Sequence, residues 1–232
     1  MSKVHIEGLH KSYGKKEVLK DLNLDLEKGK IYGLLAQNGE GKTTLMKILA
    51  GVAVKEFGTV EIDELTPGKE TKQHTVYLPE HSALDPSKSC AQMMKMMADF
   101  FEDFDADQAR ELLVRLGLDE NQKLSSMSKG MQEKAALALA LARSADLYLL
   151  DEPLGGVDPA SREQILKTIL SSYRENASLL ISTHLIADVE AILDEVLFMK
   201  NGRIILQEAA DEMRMRTGES IERNFRKEFA PC

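Results

Sequence analysis

Two spacings of apolar residues take turns along this chain. Val4, Ile6 and Leu9 fall near every second position, and Leu22, Leu24 and Leu26 repeat the alternation after a polar turn at Tyr13-Gly14. Alternation sends successive side chains to opposite faces, so both stretches read as half-buried strands, closed into an antiparallel pair by Lys28-Gly29-Lys30. Gly58 to Asp63 alternates as an edge strand. Three other runs are apolar almost throughout: Ile31 to Ala36, Asp146 to Leu150 and Ser178 to Ser182. Unbroken apolar runs of this length predict strands covered on both faces, as in a parallel sheet. Thr75 to Leu78 is a short core strand stopped by Pro79.

Between these runs the spacing becomes helical. Leu45, Met46, Ile48 and Leu49 share a face of a helix that starts near Lys42 and ends at Gly51. From about residue 81 to 145 three helices are predicted. Asp85-Pro86-Ser87 caps the first, which carries Met93, Met94, Met96 and Met97. Asp107 starts the second, with Ala109, Leu112, Leu113 and Leu116 on one face and Gly117 as its stop. The third, dense in Ala and Leu, runs from about Lys129 to Arg143. Asp158-Pro159 opens a helix with Ile165, Leu166, Ile169, Leu170 and Tyr173 on one stripe, and another helix covers 186–193. Asn201-Gly202 is a two-residue hairpin turn between strands at 196–199 and 203–206. Residues 207–232 are charged and weakly amphipathic, which predicts a mobile tail or a small docking element. The pattern as a whole predicts an α/β fold with an N-terminal antiparallel β subdomain and a helical subdomain inserted at about 81–145.

Composition narrows the partners. The net charge of −8 argues against a nucleic-acid surface, and 43% hydrophobic residues over 232 positions support a substantial core. No apolar run approaches the ~20 residues that span a bilayer, and the first residues lack a secretory h-region. A cytoplasmic protein that reaches a membrane only through a partner is expected. Cys90 and Cys232, far apart and without ligand spacing, read as free thiols in a reducing compartment.

Three of the strands end in groups that can do chemistry. The first runs into Ala36-Gln37-Asn38-Gly39-Glu40-Gly41-Lys42-Thr43-Thr44 and then a helix. Strand, glycine-containing loop and helix form a phosphate cradle: backbone N–H groups and the helix N-terminus face the anion, Lys42 reaches the β/γ-phosphates, and Thr43 sits on Mg²⁺. The pattern GxxxxGK[ST] has Gly where this chain has Ala36, a cost of roughly 1 kcal/mol if φ is positive there and none if it is negative. The second strand ends in Asp151-Glu152. A carboxylate at a buried strand end needs a cation, so Asp151 would hold Mg²⁺, and Glu152 would polarise a water for in-line attack. The third ends at His184, either a polar helix-start residue or a contact to the γ-phosphate. Asp158 can be explained as an N-cap alone, Tyr13 as a turn aromatic or a stacking platform for a nucleobase, and Glu80 as a solvated acid or a contact to Mg²⁺ or water. The methionines at 93–97 read as core or as a partner-facing patch.

These residues together resemble the ATP-binding cassette (ABC) ATPases over residues 3–210. Ala36 to Thr44 resembles Walker A, and Leu147 to Asp151 followed by Glu152 resembles Walker B with the catalytic glutamate. Met127-Ser128-Lys129-Gly130-Met131-Gln132 resembles the family signature LSGGQ, Gly155 to Asp158 the D-loop, and His184 the switch histidine. Tyr13 matches the aromatic that stacks on adenine, and Glu80 takes the place of the Q-loop glutamine. The resemblance implies a RecA-like P-loop NTPase core over 1–210 with a tail at 211–232. It implies ATP and Mg²⁺ as ligands, with Thr43, Asp151 and Glu80 at the metal and Lys42, Glu152 and His184 in catalysis. It further implies head-to-tail pairing with a second cassette, in which Ser128 and the Gly130 N–H contact the partner's γ-phosphate, Lys129 puts a cation near that ATP or on the outer surface, and Met131 and Asp158 belong to the nucleotide-binding set. It also implies a separate transmembrane permease, with export as the expected direction. Three departures stand out: Ala36, Lys129 for the first signature glycine, and Glu80. A soluble non-transport ABC ATPase and a cassette that binds ATP without turnover are the rival expectations.

Overall fold

β1 (Ser2–Tyr13) and β2 (Lys16–Glu27) pair antiparallel, and β3 (Ile31–Leu35) leaves them for a second sheet. The chain then forms α1 (Lys42–Leu49) and returns through β4 (Phe57–Ile62) to the free edge of β1. The computed structural model describes residues 2–174 and 176–230. Cys232 lies outside them, and Cys90 is buried and unpaired.

The second sheet adds β5 (Thr75–Leu78), β6 (Leu147–Asp151), β7 (Ser178–Thr183), β8 (Glu195–Lys200) and β9 (Arg203–Ala209), in the order β5-β6-β7-β3-β8-β9. Every neighbouring pair is parallel except β8–β9, the hairpin at Asn201-Gly202. Because side chains alternate along a strand, each central strand feeds two cores. Leu147 and Leu149 join Leu34, Leu45, Ile48 and the inward residues of β1 and β2, so α1 is sandwiched between the two sheets. Tyr148 and Leu150 point the other way, into a cluster shared with the helices. This is why those runs had to be apolar throughout.

On that second face lie α2 (Cys90–Phe100), α3 (Ala106–Arg115), α4 (Lys129–Leu141) and α5 (Pro159–Ser172). Two helix starts differ from the sequence expectation. Ser89, not the 85–87 stretch, caps α2: its hydroxyl accepts the Gln92 N–H at 3.3 Å while the Gln92 side chain accepts the Ser89 N–H at 3.0 Å. Asp85 instead closes its own turn onto the Ser87 N–H and hydroxyl. Asp105 rather than Asp107 caps α3, accepting the N–H groups of Asp107 and Gln108. The methionines divide: Met93 and Met94 are buried, Met96 is exposed. The helix expected over 186–193 is α6 (Ile186–Val189) followed by a 3₁₀ turn.

The C-terminal stretch is not a mobile tail over the described residues. It forms α7 (Ala210–Thr217) and α8 (Ile221–Glu228). Met213, Ile221 and Phe229 are buried, and the Phe198 ring of β8 meets Phe225 edge-on at 5.4 Å. Ile221, Phe225 and Phe229 recur every four residues, an apolar stripe diluted by the charges around it.

Arg143, just past α4, ties the helices to the sheet. Its buried guanidinium makes a two-pronged contact to Asp103 (2.9 and 3.1 Å), donates to the carbonyls of Gln73 (2.8 Å) and Thr75 (3.2 Å), and stacks on Phe101 at 3.8 Å. Arg143→Met leaves the Asp103 carboxylate and these carbonyls without a donor. It is expected to cost about 3 kcal/mol in a denaturant titration, and a loss under 1 kcal/mol would contradict the anchoring role.

In the loop before α1, Ala36 is buried with φ outside the left-handed region, so the missing first glycine costs nothing. Gly41 has φ +110, and a Cβ there would lie 2.9 Å from Leu19 Cδ2 and 3.0 Å from Met199 Cε. Thermal melting should therefore separate two opposite exchanges. Gly41→Ala should destabilise by about 1 kcal/mol or more. Ala36→Gly should stabilise nothing and lose about 0.5–1 kcal/mol through the entropy of its unfolded chain.

Candidate nucleotide-binding and catalytic site

Parallel pairing puts three strand ends at one height: Leu35 lies opposite Thr183, and Asp151 opposite Ser182. The loop after β3, the acids at the end of β6 and the histidine after β7 therefore converge. A cleft of about 530 Å³ opens there. Asn38, Gly39, Glu40, Gly41, Lys42, Thr43 and Thr44 line it, with Glu80, Lys129, Glu152 and His184.

Lys42 is the first residue of α1 and is buried. Its ammonium donates to the carbonyls of Ala36 (3.0 Å) and Gln37 (3.5 Å) and lies 3.5 Å from Glu152 Oε1. The other carboxylate oxygen, Oε2, accepts from the His184 ring at Nδ1 (2.9 Å) and from the His184 N–H (3.3 Å). A carboxylate can only accept, so the His184 proton sits on Nδ1 and Nε2 faces away from Glu152. Glu152 itself holds φ +51, a conformation that costs a side-chain-bearing residue roughly 1–2 kcal/mol. Its N–H is bound to the Ser182 carbonyl at 2.9 Å, which holds that conformation in place. Glu152 is thus a backbone-strained acid held between a lysine and a histidine.

Asp151 is fully buried. Oδ1 accepts the Ser182 hydroxyl, while Oδ2 is sealed from solvent and meets no hydrogen-bond partner among the described residues. A buried carboxylate oxygen without a donor suits a cation, and Mg²⁺ takes one or two protein oxygens beside phosphate and water. Asp151 thus suits a Mg²⁺ ion; Thr43 lines the cleft and Glu80 is exposed at its rim, while Asp151 itself does not line it.

Other expected residues stand apart from the cleft. Tyr13 is half-exposed at the end of β1, with the Lys11 ammonium 5.2 Å from its ring. Ser128 caps α4 by accepting the Met131 N–H, and it, Gly130 and Met131 do not line the cleft. Asp158 caps α5, and its bonds to Ser161 hold its carboxyl below the ordinary range. Lys129 is the exception within the signature stretch: it borders the cleft of its own chain, 3.8 Å from Glu133.

Gly155 and Gly156 of the D-loop-like stretch line the cleft, and four further lining residues were not singled out from sequence: Lys16, Val18, His81 and Glu133. Glu133 follows Lys129 by one helical turn, a spacing that was visible. Burial raises its carboxyl pKa, with Lys129 and His81 opposing. It lies so close to Gly156 that a Cβ there would meet its Oε2 at 2.7 Å. Glu40 adds a negative charge to the loop, yet its carboxylate accepts the N–H of Asn201 at the β8–β9 turn.

A family profile described as ABC transporter matches residues 19–155. The "ABC transporter ATP-binding protein YtrB" of Bacillus subtilis is 29% identical over 214 residues, covering 91% of this chain and 73% of that protein. The "Lantibiotic transport ATP-binding protein SrtF" of Streptococcus pyogenes is 31% identical over 208 residues, covering 89% and 90%. Among solved structures, an ATP-binding subunit of an ABC transporter superposes with a TM-score of 0.86 over 97% of this chain and 99% of that one at 24% identity. A bacterial Atm1-family ABC exporter with ATP bound gives 0.79 at 16% identity, covering 99% of this chain and 42% of that one, and these two likenesses speak for the fold alone. With a phosphate loop, paired strand-end acids and a histidine meeting in one cleft, and with the profile covering more than half its length, this chain belongs to the ABC transporter family as an ATP-binding subunit.

Proposed function

We propose that this chain hydrolyses ATP to drive export through a separate membrane permease, and that it works as a head-to-tail pair of cassettes. The observation that carries the reading is Glu152, just past β6, held between Lys42 at the end of the phosphate loop and His184 after β7. With ATP in the cleft, the N–H groups of residues 39–44 and the N-terminus of α1 face the β- and γ-phosphates, and Lys42 leaves the loop carbonyls to neutralise the developing charge. Glu152 takes a proton from a water aligned with the γ-phosphorus. The water oxygen forms its bond to phosphorus as the bridging bond to ADP breaks. His184 keeps the Glu152 carboxylate oriented through its Nδ1–H while the γ-phosphate is absent, and that N–H turns to a γ-phosphate oxygen when ATP binds. Mg²⁺, held by Thr43 and Asp151, would supply charge neutralisation at the β/γ oxygens.

The signature end of α4 is assigned to the second site of the pair. Ser128 and the Gly130 N–H, at a helix N-terminus, are anion-binding groups that do not line the cleft of their own chain. Tyr13 is assigned to the adenine, beside the lining residues Lys16 and Val18.

No helix among the described residues is long and apolar enough to cross a membrane, and the crossing is assigned to another chain. A groove of about 420 Å³ supports that assignment. It is mostly apolar, lies between the sheet and the helices, and is lined by Val52, Leu84, Met93, Met97 and Phe101 among others. Its shape suits a short helix of a permease. Export rests on the relatives' names, which include lantibiotic transport and "Nod factor export ATP-binding protein I".

Glu152→Gln is expected to retain ATP binding, lose phosphate release by 100-fold or more, on the order of a general base's contribution, and accumulate an ATP-bound dimer in size-exclusion chromatography. Unchanged turnover would remove Glu152 from the chemistry. Lys129→Ala should alter ATP-dependent dimerisation more than nucleotide affinity of the monomer. Equal effects on both would assign Lys129 to the cleft of its own chain.

A further inference from the structure

Tyr77 lies on β5, next to the strand that carries Asp151. In the parallel register it stands opposite Leu149, two residues before Asp151. Side chains two apart on a strand share a face, so Tyr77 and Asp151 both project toward α1. The contacts agree: Tyr77 packs in the cluster that contains Leu147, Leu149 and Leu45. Tyr77 also borders the apolar groove at this edge of the sheet.

The residue is only partly covered, but its hydroxyl is sealed from solvent, makes no hydrogen bond of good geometry among the described residues, and lies beside the Asp151 carboxylate. Asp151 Oδ2 is in the same condition, while Oδ1 is taken by the Ser182 hydroxyl from β7, on the far side of β6. An unpaired donor and an unpaired acceptor, both buried, therefore share one face of two adjacent strands. Leaving a phenol donor unsatisfied costs about 1–3 kcal/mol, which packing alone would avoid with Phe.

We propose that Tyr77 is a positioning residue for the metal carboxylate. Its hydroxyl donates to Asp151 Oδ2, opposite the Ser182 hydroxyl on Oδ1, and the two donors hold the carboxylate so that its remaining lone pairs face Mg²⁺. Tyr77 touches neither nucleotide nor metal. The inference rests on the reading of Asp151 as a Mg²⁺ ligand. It adds a structural link: the residue that orients the metal ligand also forms part of the wall of the groove assigned to the permease.

The test uses the full chain with Tyr77→Phe, measuring the affinity for a fluorescent ATP analogue in excess Mg²⁺ and in EDTA, alongside the thermal midpoint. The expected result is an unchanged affinity in EDTA, an unchanged or raised midpoint in EDTA, and binding in Mg²⁺ weakened by about ten-fold or more, as for the loss of one hydrogen bond to a charged group. Equal affinities for Tyr77→Phe and the unmutated chain in Mg²⁺ would overturn the proposal, and a lowered midpoint with intact Mg²⁺ dependence would make Tyr77 a packing residue instead. Asp151→Asn separates the two levels. If it abolishes the Mg²⁺ dependence while Tyr77→Phe does not, the metal reading stands and the Tyr77 inference falls. If Asp151→Asn keeps that dependence, the metal reading falls as well.

Discussion

The register of three parallel strands decides where the strand-end groups of the candidate site lie. β3, β7 and β6 are neighbours, and their last residues align to within one position. A one-residue slip of β6 would turn Asp151 from the α1 face to the helical face, since side chains alternate along a strand. That slip is opposed by the core: Leu147 and Leu149 pack against α1, while Tyr148 and Leu150 pack under the helices. The burial that stabilises the sheet therefore also aims its carboxylates. The same register sets Ser182 and Tyr77 on the two sides of Asp151, so orienting groups come from both neighbouring strands.

Electrostatics then complete what register begins. Lys42 and Glu152 are both buried, and each is costly to desolvate alone. They lie near enough to compensate one another, and His184 and the loop carbonyls take the remaining hydrogen bonds. The positive φ of Glu152 is part of this arrangement, because it turns the acid out of the strand line that Asp151 still follows. Adjacent carboxylates thus have different surroundings, one sealed at the end of the strand and one at the cleft.

Strand identity and the three strand-end motifs were legible in the sequence because they are local: an apolar run, a glycine loop, an acid after four hydrophobics. The φ of Ala36 was legible only as two alternatives, and the strand geometry selects the harmless one. The helix caps were misplaced because several Asp and Ser residues near each start can cap equally well in isolation. Ser89 and Asp105 won through bonds to residues two and three positions on, including Gln92 and Gln108. The C-terminal helices were hidden by charge, since Ile221, Phe225 and Phe229 gain their meaning only from Phe198, more than twenty residues away. Lys16, His81 and Glu133 escaped for the same reason: their place in the cleft depends on how the helices sit against the sheet, which no local pattern encodes.

α4 shows what that packing accomplishes. It is 13 residues long, about 20 Å at the rise of an α-helix. Near its N-terminus Lys129 and Glu133 border the nucleotide cleft; further along, Ala136, Leu139 and Ala140 form a wall of the apolar groove. Just beyond its end Arg143 is bound to the backbone of residues 72–75, which leads directly into Tyr77 and Glu80. A helix is stiff along its axis, and a packed core does not deform continuously. A shift of α4 at the cleft therefore carries the groove wall with it, and pressure in the groove reaches the cleft by the same rod. Glu133 against Gly156, Lys134 against Ser161 and Arg143 against the β5 approach are among the contacts that such a shift must remake.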